Sequence, residues 1–169
     1  IEVLSARIWP TNLNIKEFER VTGLNDYPAF LEEDLDGEGN LDVYANGETI
    51  YRLKNIHAKV SAEWKYQAPP GAGDTHYSIM RGTKANLIIR QGQEQGFVPQ
   101  LYIEPTQVGS KVQIEKELEQ AVRELQKSYQ GIKYSETAEG WQVLIPEELR
   151  VGHEAHFGQV MERYLQYLT

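Results

Sequence analysis

Ile56-His57-Ala58-Lys59-Val60-Ser61-Ala62-Glu63-Trp64-Lys65-Tyr66-Gln67 alternates apolar and polar residues without a break. A period of two sends the apolar side chains to one face of an extended strand and the polar ones to the other. The stretch therefore predicts a long strand whose polar face is wetted or set against another subunit or domain. Working outward, Leu41 to Ala45 and Glu48 to Leu53 flank Asn46-Gly47. That pair suits a type I′ turn, where both central residues need positive φ, and it predicts a hairpin. Val3 to Trp9 reads as an opening strand ended by Pro10, with Thr11-Asn12 available to turn the chain or cap a short helix from Ile15 to Val21 that Gly23 closes. On the other side, Thr75 to Met80 and Ala85 to Arg90 read as strands joined by Arg81-Gly82-Thr83-Lys84, and Leu101 to Glu104 as another.

From Ser110 the period becomes helical. Ile114, Leu118, Ala121, Val122, Leu125 and Tyr129 share one face, and Ser110 with Gln113 has capping-box spacing. Ile132 to Ser135 and Trp141 to Ile145 predict a hairpin around Ala138-Glu139-Gly140, stopped by Pro146. A last helix from His153 to Leu168 is expected to bury Phe157, Val160, Met161, Tyr164, Leu165 and Leu168. About eight strands, mostly joined by hairpins, with two late helices, predict an α+β fold. Its open, mostly antiparallel β-sheet carries helices packed on one face, in a single domain over residues 1–169.

Composition narrows the functions. A formal net charge of −8 disfavours nucleic acid and anionic membrane as partners. With no Cys, disulfides, thiolate metal sites and a Cys nucleophile are excluded. No apolar run approaches the ~20 residues of a membrane span, and no leader pattern opens the chain. The compartment stays open, with the cytoplasm as the default. The start at Ile1, directly in a strand-like stretch, implies an excised or processed end.

Three constellations deserve chemical scrutiny. Asp34-Leu35-Asp36-Gly37-Glu38-Gly39-Asn40-Leu41 matches the first eight positions of an EF-hand loop, but the twelfth is Ala45 where calcium needs a bidentate Glu, so the stretch reads as an acidic turn. Gly71-Ala72-Gly73-Asp74-Thr75-His76-Tyr77 lacks the third Gly and the following helix of a dinucleotide turn. It can still bring Asp74, His76 and Tyr77 to one rim, as hydrogen-bonding groups for a polar ligand. His153-Glu154-Ala155-His156 places two imidazoles three apart at the start of a helix, where they are neighbours. Two ligands do not make a metal site, so hydrogen bonding or contact with a further domain is the preferred reading, and no metal is assigned. The substrate-binding candidates are thus Asp74, His76, Tyr77, His153, Glu154 and His156.

The stretch Trp64 to Pro105, centred on Gly73-Asp74-Thr75-His76-Tyr77-Ser78-Ile79-Met80-Arg81-Gly82-Thr83-Lys84-Ala85, resembles the putative oxidoreductase C-terminal domain family. Trp9-Pro10-Thr11-Asn12-Leu13 and His153-Glu154-Ala155-His156-Phe157 extend the resemblance to nearly the whole chain. The family lies within the wider glucose-fructose oxidoreductase and inositol dehydrogenase class, and the resemblance implies a substrate-side domain with an open sheet used for homo-oligomer assembly. It further implies an N-terminal Rossmann domain, absent here, that binds NAD(P), and a small polar substrate such as a sugar or polyol. The class's Glu-Lys-Pro tripeptide has no counterpart in this chain, so no catalytic or cofactor-binding residue carries over and the chain alone is not expected to catalyse. The Arg81-Gly82-Thr83-Lys84 turn corresponds to the class's Gly-Thr turn, with Gly supplying its backbone geometry. The competing reading, drawn from ten Tyr and three Trp, is a stand-alone carbohydrate-binding or protein-interaction module.

Overall fold

A computed structural model describes residues 1–168; the side chain of His153 lies outside the description. The fold is α+β, and the chain divides into two compact units, Ile1–Pro70 and a second beginning at Gly71. Each has its own antiparallel sheet, three-stranded in the first and five-stranded in the second.

In the first unit, β1 (Glu2–Leu13), β2 (Leu41–Leu53) and β3 (Ile56–Ala62) pair in that order. Helix α1 (Ile15–Thr22) is started by Asn14, whose side chain accepts from the Lys16 and Glu17 amides while Glu17 reaches back to the Asn14 amide. Gly23, at φ 77°, ends it as expected. Leu13, Phe18 and Leu41 form a small buried core at this end of the sheet, joined by Tyr27, Leu31, Val43 and Tyr66.

Three local expectations fail here, each for a physical reason. Pro10 does not end β1, because β1 is an edge strand and its register shifts between Trp9 and Thr11, a place where a missing N–H costs little. Asn46-Gly47 is no turn: β2 runs straight through it. Asn46 is only 3% exposed, and its amide donates to the Trp9 carbonyl (3.1 Å) and Thr11 Oγ1 (2.9 Å) and accepts from the Trp64 amide (2.7 Å). Finally, β3 stops at Ala62, and Tyr66 takes φ 63°, turning its ring into the α1 core instead of continuing the alternation.

The β1–β3 register sorts the residues of that sheet by face. Val3, Ile8, Tyr51, Ala58 and Val60 share one side; Arg7, Glu48 and Lys59 share the other. The charged side is internally paired, with Glu48 contacting Lys59 (2.7 Å) and Arg7 (3.3 Å), and these cations hold its carboxyl below the usual carboxylate range, Lys59 contributing most. The apolar side is bare: Val3, Ile8, Ile56 and Val60 are all more than half exposed.

The acidic stretch closes as a turn. Asp36 Oδ1 accepts from the amides of Glu38 (2.8 Å) and Asn40 (2.9 Å), and these bonds, that from Asn40 foremost, lower its pKa from the ordinary 3.8. Because the folded value is the depressed one, the stabilisation is present above the unfolded value and lost as pH falls through the folded one. Asp36→Asn should therefore lower the urea midpoint at neutral pH, with the deficit shrinking as acid protonates the wild-type carboxyl. A deficit independent of pH would show that the charge contributes nothing.

In the second unit the sheet order is β4 (His76–Arg81), β5 (Ala85–Gln91), β6 (Gln100–Pro105), β8 (Trp141–Leu144) and β7 (Lys133–Glu136). Helix α2 (Lys111–Leu125) covers one face, burying Ile114, Leu118 and Val122 against Trp141, Val143 and Ile132. Ser110 caps it one-sidedly, accepting from the Gln113 amide at 3.5 Å. Gly82 is required in its turn by close approach: a Cβ there would lie 2.4 Å from the Ala85 carbonyl oxygen.

Helix α3 (His153–Leu168) forms where its periodicity predicts, but the expected burial does not occur. Phe157, Val160, Met161, Tyr164, Leu165 and Leu168 are all more than half exposed. Among the described residues no helix is long and apolar enough to cross a membrane.

Candidate functional site

The face of the five-stranded sheet opposite α2 carries polar side chains. Pairing of Ile88 with Tyr102 and of Tyr102 with Gln142 sets one row, and pairing of Tyr77 with Arg90 and of Arg90 with Gln100 sets the next. Arg90 reaches across the sheet, its guanidinium stacking 4.8 Å from the Tyr102 ring centroid before meeting Glu104 at 2.6 Å and Glu139 at 3.6 Å. Burial works against the charge on Arg90, but hydrogen bonding to Glu104 and the fields of Glu104 and Glu139 outweigh it and raise its pKa. Gln100 Oε1 accepts from Tyr102 Oη (2.7 Å) and from Gln142 Nε2 (2.9 Å), which fixes the phenol and both amides.

Two loops wall this cluster. The β5–β6 connection supplies Glu94 and Gln95, and the β7–β8 turn supplies Thr137 and Glu139, around a concavity of about 460 Å³. The turn is tight: the Thr137 amide donates to the Gly140 carbonyl (2.8 Å) and the Gly140 amide to Thr137 Oγ1 (3.1 Å). Gly140 must lack a side chain, because a Cβ would come 2.1 Å from the Ile103 carbonyl oxygen. The result is a held guanidinium beside carboxylates, amides and a hydroxyl, which can donate to and accept from hydroxyl groups and contains no group arranged as a nucleophile with its base.

The predicted site residues are placed as follows. Asp74 lies in the loop before β4, where its carbonyl accepts from Gln91 Nε2 at 2.9 Å. His76 opens β4 opposite Gln91, and Tyr77 stands opposite Arg90, 62% exposed. Strand alternation puts Tyr77 on the Arg90 face and His76 on the other. Glu154 and His156 are exposed in the first turn of α3, and the His156 amide donates to the Gly152 carbonyl at 3.1 Å. The side chain of His153 lies outside the described residues. Among the described residues no hydrogen bond or ion pair joins Glu154 or His156 to Asp74, His76 or Tyr77, and no three His, Asp or Glu are grouped to hold a metal.

Sequence reasoning missed Arg90, Tyr102, Glu104 and Glu139. They come from two strands and a turn, so no linear motif announces them. The available signal was the polar residue in each otherwise apolar strand: Arg90 after Leu87-Ile88-Ile89, and Glu104 after Ile103.

Comparison with known proteins agrees with this architecture. No curated protein matches. Among solved structures the chain is similar to a putative oxidoreductase from Parabacteroides merdae ATCC 43184, with TM-score 0.93 and 44% identity over 99% of this chain. The match covers 38% of that protein, so the present chain spans well under half of its length. Residues 1–169 match the family described as putative oxidoreductase C terminal domain. The chain belongs to the putative oxidoreductase C-terminal domain family.

Proposed function

We propose that this chain is the substrate-side and assembly region of an NAD(P)-dependent oxidoreductase whose nucleotide-binding Rossmann domain precedes it, acting on a small polar substrate such as a sugar or polyol. The observation that carries the reading is the family match over residues 1–169 together with the 38% share of a longer putative oxidoreductase. Among the described residues no strand, Gly-rich turn and helix N-terminus combine to hold a pyrophosphate, since the Gly71-Ala72-Gly73 loop leads into β4. Substrate hydroxyls would meet Asp74, His76 and Tyr77 around the start of the edge strand, His76 and Tyr77 from its two faces, and His153, Glu154 and His156 at the start of α3, with Arg90 beside Tyr77 extending the polar surface. The bare apolar side of the three-stranded sheet, with Val3, Ile8, Ile56 and Val60, supports homo-oligomer assembly.

Calorimetric titration provides the test. The isolated chain should show no saturable binding of NAD or NADP, whereas the full-length protein should bind one of them at a single site per chain and turn over a member of a sugar and polyol panel. Stoichiometric binding by the isolated chain, or an upstream sequence without a dinucleotide-binding unit, would overturn the reading.

A further inference from the structure

Helix α3 is 16 residues long and every described side chain on it is exposed. Val160, Met161, Tyr164, Leu165 and Leu168 recur three and four apart, which places them on one face, and each is between 53% and 67% exposed. The opposite face is polar and self-satisfied: Arg163 bonds Gln166 at 3.0 Å and lies 5.2 Å from the Tyr167 ring centroid. A contiguous apolar stripe rimmed by polar residues marks an interaction surface. We propose that α3 is the docking helix for the N-terminal remainder of the same polypeptide, which buries this stripe in an apolar groove.

The proposal rests on the reading that a further domain precedes this chain, as the 38% share of the longer relative supports. Area favours that occupant over a second copy. Five side chains on one helix face offer on the order of 500 Å² per side, enough for contact between domains of one chain but short of the roughly 800 Å² per partner of a stable complex. Covalent linkage makes up the difference, because it holds the two surfaces at an effective concentration of about millimolar. Docking this face also fixes the first turn of α3, so Glu154 and His156 come to lie at the margin of the domain seam.

Hydrogen exchange on the full-length protein decides the matter. Amides of residues 160–168 should exchange at least about tenfold more slowly in the wild type than in the Val160→Asp/Leu165→Asp variant, equally at low and high protein concentration and with no change in sedimenting mass. Glu162→Lys, on the polar face, should leave the protection intact and so controls for general damage to the helix. Equal, fast exchange in wild type and variant would show that nothing covers the stripe. Protection that grows with concentration, or a variant of lower mass, would make a second copy the occupant; either result overturns the proposal. NAD(P) titration of the same wild-type sample separates the two readings: a protected α3 in a protein that binds neither nucleotide leaves the docking intact and sinks the proposed function.

Discussion

Trp141→Ala should destabilise the second unit by about 3–5 kcal/mol, the range for truncating a fully enclosed aromatic side chain. Trp141 is 0% exposed and packs on β8 among Ile114, Leu118, Val122, Ile132 and Val143, so it joins the sheet to α2 and fills the centre of their shared core. Lys111 Nζ, 5.8 Å from the ring centroid, closes the solvent side. Interiors are packed too tightly to collapse around a lost indole, and the cavity adds to the lost transfer energy. Because folded domains are stable by only about 5–15 kcal/mol, such a loss is a large part of the total. Trp141→Phe should cost markedly less, since the indole N–H has no acceptor among the described residues and its removal breaks no hydrogen bond seen there. Chemical denaturation followed by circular dichroism checks both; a Trp141→Ala loss below about 1 kcal/mol would mean that the ring is not the centre of this core.

Asn46→Leu is expected to destabilise the first unit by about 3 kcal/mol, although Leu matches Asn in side-chain branching and is far more at home in a core. The substitution strips the Trp64 amide of its acceptor and the Trp9 carbonyl and Thr11 hydroxyl of a donor, in a place closed to water. A buried polar group left without a partner costs about 1–3 kcal/mol, and more than one is orphaned here. Asn46→Asp separates donors from acceptor: it keeps the oxygen facing Trp64 but removes both N–H bonds and places a charge in the same site. Its loss should be at least as large at neutral pH and should ease as acid neutralises the carboxyl. Equilibrium unfolding of the three proteins supplies the comparison, and a Leu variant within about 0.5 kcal/mol of wild type would show that the network contributes little.

What could be read in advance follows how local the cause is. Helix α2 was legible because its cap and its Ile114, Leu118 and Val122 spacing are encoded within one segment. The pairing of β4 with β5 was suggested by the short Arg81-Gly82-Thr83-Lys84 turn between them. Asn46-Gly47 misled because a turn preference of a few residues competes with hydrogen bonds to Trp9 and Trp64, which are distant in sequence and invisible in the local pattern. The alternation through Tyr66 misled for a similar reason: burial of the ring against α1 holds the backbone at φ 63°, out of the strand. For α3 the period correctly announced a helix but not the exposure of its apolar stripe, because periodicity does not name what covers a face. Of the candidate residues, Asp74, His76 and Tyr77 stood out by type, whereas the Arg90 cluster exists only once the strands are in register.

The length of β2 has a mechanical consequence. Its first residues, Leu41 and Val43, are clamped in the α1 core, while its far end, beyond Glu48, runs between β1 and β3. Within this unit the three-stranded ribbon is thus a beam built in at the α1 end, with Asn46 near the root where bending stress concentrates. A load applied at the tip, such as a neighbouring molecule pressing on Ile56 and Leu53, would be carried back along thirteen residues of one continuous strand to the loop that holds α1. Had Asn46-Gly47 been a turn, that beam would have been a hinge.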